Sequence, residues 1–171
     1  MNDDGGGGGG GGKEPKNPFL MDEVYGIDIR EDLDAKIFRA DLAVEPIPFE
    51  NEFFDGVSAF DFIEHVPRVI YMPHRRFCFV ELMNEIYRVL KTGGKFLSST
   101  PAFPVAAAWR DPTHVNIITE ETFPLYFDHQ SRLASMYGFN GYFQVTGQCW
   151  HENKTHLITE MTKFIPIENS A

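Results

Sequence analysis

The chain has 171 residues, enough for one domain with a sizeable core. Its hydrophobic share of 43%, with 16 Phe, excludes a disordered composition. The net charge of −10 argues against a nucleic-acid partner, because the only dense basic stretch is His74-Arg75-Arg76 with Arg68 nearby.

No run of 18 apolar residues and no charged-then-apolar leader is present, so no membrane span is expected and the expected location is cytoplasmic. Cys78 and Cys149 form no CxxC and no metal-ligand spacing with the six histidines. No metal site is expected, and both cysteines read as buried thiols.

Residues 1–18 stand apart as a glycine-rich N-terminal segment, with an unbroken run from Gly5 to Gly12, and read as a flexible tail before a domain spanning 19–171. Gly7 to Lys13 fits the spacing of a phosphate loop. However, Glu14 stands where a magnesium-binding Ser or Thr is needed, and no strand precedes it.

From Glu23 the pattern changes. Val24-Tyr25-Gly26-Ile27-Asp28 reads as a short buried strand ending on an acid, and Ile37 to Ala40 as a second, ending at Asp41. Phe54 to Phe60 is a third, leading to Asp61 and a helix-like start at Phe62-Ile63-Glu64-His65-Val66. Leu82, Ile86, Val89 and Leu90 form one apolar face of the clearest helix, with Lys91 near its negative end and Gly93 supplying the stop.

Gly94 to Thr100 reads as a strand closed by Pro101, and Thr119-Glu120-Glu121-Thr122 as a helix start. The aromatic run Phe123 to Tyr126 reads as core or lid. Tyr142 to Trp150 and Thr155 to Phe164 form a hairpin through His151-Glu152-Asn153-Lys154, with His151 and His156 flanking the turn as solvated side chains. The order predicts an α/β fold: a Rossmann-like, mostly parallel sheet with helices on both faces and a C-terminal antiparallel hairpin at one edge.

In such sheets ligands bind beyond the carboxyl ends of the strands, and three strands here deliver acids there: Asp28, Asp41 and Asp61. One such Asp is readily an ordinary turn former. Three in register point to a cofactor edge.

Tyr25-Gly26-Ile27-Asp28, Ala40-Asp41-Leu42 with Pro48-Phe49, Phe54 to Val57 through Glu64-His65-Val66, and the unit from Glu85 to Phe96 resemble class I S-adenosylmethionine-dependent methyltransferases of the broad "methyltransferase type 11" kind. The resemblance covers roughly residues 22–130, and the terminal hairpin suits that fold. It implies S-adenosylmethionine as cofactor and an acceptor that is a small molecule or glycan-type compound. It also implies that Asp28, with Ile29, holds the ribose hydroxyls. Asp41 and Leu42 would face the adenine, and Asp61 and Phe62 would lie beside the methionine end. Gly10 and Gly12 would stand for the glycine loop.

The stretch from Trp109 to Val115 is similar to a loop over the substrate side in relatives thought to act on sugar- or envelope-related acceptors. His114 is a candidate general base toward an acceptor hydroxyl, or else a histidine that fixes the loop through a backbone carbonyl. His65 is a second catalytic candidate, set against a local cap or packing role.

The family opens with a buried central strand, and nothing before Gly5 corresponds to it. The sequence therefore predicts that the first central strand is missing and that another segment or subunit fills its place, or that the chain is shortened. Losing about five buried apolar side chains forfeits on the order of 7–15 kcal/mol. A catalytically inactive, methyltransferase-like binding module is accordingly an alternative, and a dinucleotide-binding Rossmann protein is a third. The oligomeric state is not legible.

Overall fold

A computed structural model describes residues 15–166. The expected missing strand and the glycine-loop candidates Gly10 and Gly12 lie outside the described residues. The chain divides into two compact units, one ending at Ala40 and one beginning at Asp41.

The first unit holds two short parallel strands, β1 (Gly26–Asp28) and β2 (Ile37–Arg39), with Gly26 opposite Ile37 and Asp28 opposite Arg39. The expected strand from Val24 is shorter than read, beginning at Gly26, and it is half-buried rather than buried. Gly26 is closely packed where it stands. A Cβ there would lie 3.1 Å from the Ile37 side chain and 3.2 Å from that of Pro15.

The second unit is built on a four-stranded sheet in the order β3-β4-β6-β5, formed by β3 (Phe54–Phe60), β4 (Leu90–Pro101), β5 (Phe143–Trp150) and β6 (His156–Lys163). β3 and β4 pair in parallel, whereas β6 is antiparallel to both β4 and β5. Three of the four strands thus run one way and β6 alone runs against them, which is the mixed α/β pattern with a C-terminal hairpin. The hairpin joins one side of the parallel β3-β4 pair, as expected. Its second strand, β6, lies between β4 and β5, so of the two hairpin strands β5 takes the edge. The burial of β6 follows from this, because Leu157, Thr159, Met161 and Lys163 alternate as buried residues along it.

Helix α1 (Cys78–Val89) precedes β4 and buries Leu82, Met83, Ile86 and Val89, as the spacing predicts. Leu90 is not its last turn but the first residue of β4, opposite Phe54. Gly93 carries a φ of +79°, in the left-handed region that favours glycine, and the expected stop signal thus falls among the first residues of β4.

Two short helices follow, α2 (Ala107–Arg110) and α3 (Thr122–Tyr126). Phe123 of α3 is fully buried with Phe96, Phe127, Phe139 and Phe143, and Phe127 meets Phe139 edge-on with centroids 5.1 Å apart. Tyr126 is partly exposed, so the aromatic run divides between core and surface. Cys78 is buried as expected. Cys149 is exposed, because it lies on the edge strand with an outward-facing side chain. No helix among the described residues is long and apolar enough to cross a membrane.

Candidate functional site

Asp28 ends β1 and is half-exposed, with its side chain at 48% of full exposure. Its Oδ1 accepts the Arg30 amide at 2.9 Å, and its backbone carbonyl accepts the Ala40 amide at 3.0 Å. The carboxylate is therefore held in a fixed orientation at a strand end. Ile29 beside it is exposed.

Asp41 opens the second unit, where its Oδ1 accepts the Ala43 amide at 3.1 Å and its own amide donates to Glu45 at 2.6 Å. This is turn-forming geometry. Leu42 is half-buried.

Asp61 immediately follows β3 and has a φ of +49°, a left-handed conformation that few non-glycine residues adopt. Its amide donates to the Ser99 carbonyl of β4 at 3.0 Å. Its Oδ1 lies 2.6 Å from Nε2 of His156, the first residue of β6. His156 is thus not a solvated turn residue as the sequence suggests. It is engaged on both ring nitrogens, with Nδ1 2.8 Å from the Thr155 hydroxyl. Phe62 is half-buried next to Asp61.

A short 3-10 turn, Ile63–His65, carries the chain onward from Asp61. Glu64 is 1% exposed, and its Oε2 accepts the Thr100 hydroxyl at 2.7 Å. The Glu64 carbonyl takes the amides of Val115 and Asn116, which ties the segment after α2 to this turn. Nδ1 of His65 is 3.1 Å from the Thr113 hydroxyl, and Nδ1 of His114 is 3.3 Å from the Ala108 carbonyl. The His114 contact is the loop-fixing bond that the sequence offers as the alternative to base catalysis. The two imidazole rings meet edge-on with centroids 4.9 Å apart. Asp111 accepts both the amide and the hydroxyl of Thr113, and that hydroxyl, foremost, holds its carboxyl below the usual carboxylate range.

The structure therefore brings His65 and His114 together and adds Glu64, Thr100, Thr113 and His156, which the sequence reading does not assign. Of these, Glu64 and Thr113 carry a local signal, their places in the Glu64-His65-Val66 stretch and in the stretch from Trp109 to Val115. Arg68, part of the supposed basic face, is spent on the loop instead. It donates to Asn116 Oδ1 at 2.7 Å and to the Ile117 carbonyl. An apolar-walled groove lined by Pro46, Pro48, Phe49 and Phe53 opens at the amino end of β3, the opposite end from Asp61.

A family model described as a methyltransferase domain matches residues 4–98, more than half of the chain. Solved structures share the fold. A protein from Pyrococcus horikoshii OT3 superposes with a TM-score of 0.55 at 20% identity, over 82% of this chain and 71% of its own. A SAM-dependent methyltransferase from Archaeoglobus fulgidus superposes with a TM-score of 0.52 at 16% identity, over 81% and 75% respectively. The cyclase SpnF gives a TM-score of 0.51 at 14% identity over 76% of this chain, which spans 56% of that protein's length. At these identities the likeness is one of fold. No curated protein sequence matches the chain.

Proposed function

The chain belongs to the methyltransferase domain family, and on that premise we propose that it transfers a methyl group to a small-molecule or glycan-type acceptor. The family's cofactor, S-adenosylmethionine, supplies the methyl group on a cationic sulfonium. The chemistry of the acids suits such a group. A strand-end carboxylate fixed like Asp28 accepts hydrogen bonds from a ribose diol, and a carboxylate near a sulfonium offsets its charge.

In this reading Asp28 and Ile29 serve the ribose, Asp41 and Leu42 the adenine, and Asp61 and Phe62 the methionine end. The observation that carries it is Asp61. Its left-handed backbone and its bond to His156 spend conformational freedom at the carboxyl end of β3, where α/β sheets place ligands. Methyl transfer is an in-line displacement, so the residues' main task is alignment and exclusion of water. His114 and His65 supply the proton acceptor for an acceptor hydroxyl. In the neutral ring, a His114 Nδ1–H bonded to the Ala108 carbonyl leaves Nε2 with its lone pair. A cytoplasmic location accompanies this reading and is supported by Cys78 and Cys149 being free thiols.

Isothermal titration of the full chain with S-adenosylhomocysteine tests the proposal. Binding is expected, weakened at least tenfold, about 1.4 kcal/mol or more, in Asp28→Ala. A folded sample that binds none overturns it.

A further inference from the structure

We propose that Glu64, His65 and His114 form a binding site for a divalent cation of the Zn2+ class. Each offers one ligand atom, and these atoms all lie within 4.8 Å of one another. The inference stands on these three side chains and does not depend on the methyl-transfer reading.

Glu64 supplies the first argument. The residue is 1% exposed, and while Oε2 takes the Thr100 hydroxyl, Oε1 is buried without a hydrogen-bond partner. A buried carboxylate oxygen left unpaired is costly, and the cost is removed by a proton or a cation.

The hydrogen bonds of the two histidines supply the second. The Thr113 hydroxyl has a single proton, and at 2.6 Å it donates that proton to Asp111 Oδ1. Toward Nδ1 of His65, 3.1 Å away, the same oxygen can only accept, so Nδ1 carries the hydrogen and Nε2 the lone pair. The Ala108 carbonyl is likewise only an acceptor, which sets the same tautomer on His114. Asp111 Oδ2 is 4.0 Å from Nε2 of His114, too far for a hydrogen bond. Each imidazole thus keeps one nitrogen lone pair and Glu64 one unpaired oxygen, on three residues whose ligand atoms come within 4.8 Å of one another. Histidine ligands held through the other ring nitrogen by a carbonyl or a carboxylate-backed hydroxyl are the usual support of a metal site.

The donor set selects the ion. Two imidazoles and one carboxylate suit Zn2+ and its first-row neighbours, with an open position left for water or a hydroxyl, whereas Mg2+ and Ca2+ favour oxygen alone. With bonds of about 2.1 Å, tetrahedral ligands stand roughly 3.4 Å apart. The widest pair, at no more than 4.8 Å, therefore closes by about 1.4 Å or less (4.8 − 3.4). The segment holding His114 lies between the short helix α2 and β-bridged Ile118, a loop able to make that adjustment. With the cation bound, Nε2 of His114 is a ligand and no longer a base.

Titration calorimetry with Zn2+ on the full chain carrying Cys149→Ser, which removes the exposed thiol, decides the matter. One saturable site per chain is expected. Thr113→Val, which removes the support of His65, weakens it roughly 10–100-fold. His65→Ala and His114→Ala, at residues that are not fully buried, weaken it further, and Glu64→Gln does the same while preserving shape. His151→Ala leaves it unchanged. The proposal is overturned by absence of saturable binding, or by Zn2+ affinity that survives intact in the His65→Ala, His114→Ala double variant.

Discussion

Asp61 and His156 are bonded across β4: the Oδ1–Nε2 distance is 2.6 Å, although β3 and β6 are not neighbours in the sheet. The Asp61 amide meanwhile bonds Ser99 of β4, so one residue ties three strands together at the carboxyl end of β3. The pair is partly solvated, with side-chain exposures of 58% and 25%, so its worth in stability is small, about 0–1 kcal/mol. Its structural value lies in fixing where the carboxylate points.

Two substitutions separate backbone from charge at this position. Asn tolerates the left-handed region better than Ala does. Asp61→Asn is therefore expected to retain more stability than Asp61→Ala, by about 1 kcal/mol, in urea unfolding. Both are expected to weaken S-adenosylhomocysteine binding, because both remove the carboxylate. Equal stability of the two variants would show that the φ of +49° carries no strain.

Glu85 and Arg88 govern the approach to β3. Arg88 donates to the carbonyls of Ile47 and Phe49 and to Asn51, and Glu85 accepts the Ile47 amide at 3.0 Å while pairing with Arg88 at 2.6 Å. The Arg88 guanidinium holds the Glu85 carboxyl below its ordinary value of 4.5. A depressed folded-state value means that the pair's stability is present above the unfolded value and is lost as pH falls through the folded one. Glu85→Gln is expected to cost about 1.5–3 kcal/mol near neutrality. That cost should shrink steadily below pH 4.5, as denaturant melts at several pH values would show. A cost that stays constant with pH would mean that the charge on Glu85 is immaterial.

The two thiols are expected to differ in reactivity. Burial raises the Cys78 thiol above its ordinary range, whereas Cys149 faces solvent from the edge strand. A chromogenic disulfide reagent applied to the native chain should react quickly with one thiol. The second should react only on unfolding, and Cys149→Ser should abolish the fast phase.

These relationships differ in how far the sequence announces them. The face of α1 is legible because helical periodicity repeats within a dozen neighbouring residues, and Leu82, Ile86 and Val89 are buried as the period demands. The strand-end acids are legible because a short apolar run stopping at Asp has few readings. The Asp61–His156 bond is not, since 95 positions separate the partners and no local pattern marks His156 as anything but a turn neighbour. The burial of Glu64 is hidden for the same reason, because it depends on Thr100 and on the returning segment at Val115 and Asn116. The exposure of Cys149 is hidden too, for it turns on which hairpin strand takes the edge, and alternation alone does not fix that.

Gly94 illustrates how a small residue near the start of β4 is dictated by its neighbours. A Cβ there would lie 2.8 Å from the Lys91 carbonyl oxygen and 3.1 Å from that of Asp55, both backbone atoms that cannot swing aside. Gly94 also directly precedes Lys95, where the pairing with β3 resumes at Gly56 after the irregularity that follows Phe54, so a shift would disturb the strand pairing itself. Gly94→Ala is expected to destabilise by about 1–3 kcal/mol. Gly147, on β5, is the internal control, because a Cβ there meets nothing within 4 Å. Gly147→Ala is expected to be neutral or to stabilise by up to about 1 kcal/mol, through the reduced freedom of the unfolded chain. Chemical denaturation of both variants at one pH distinguishes steric conflict from a general intolerance of alanine in these strands. Equal losses would remove the close backbone approach as the reason for glycine at position 94.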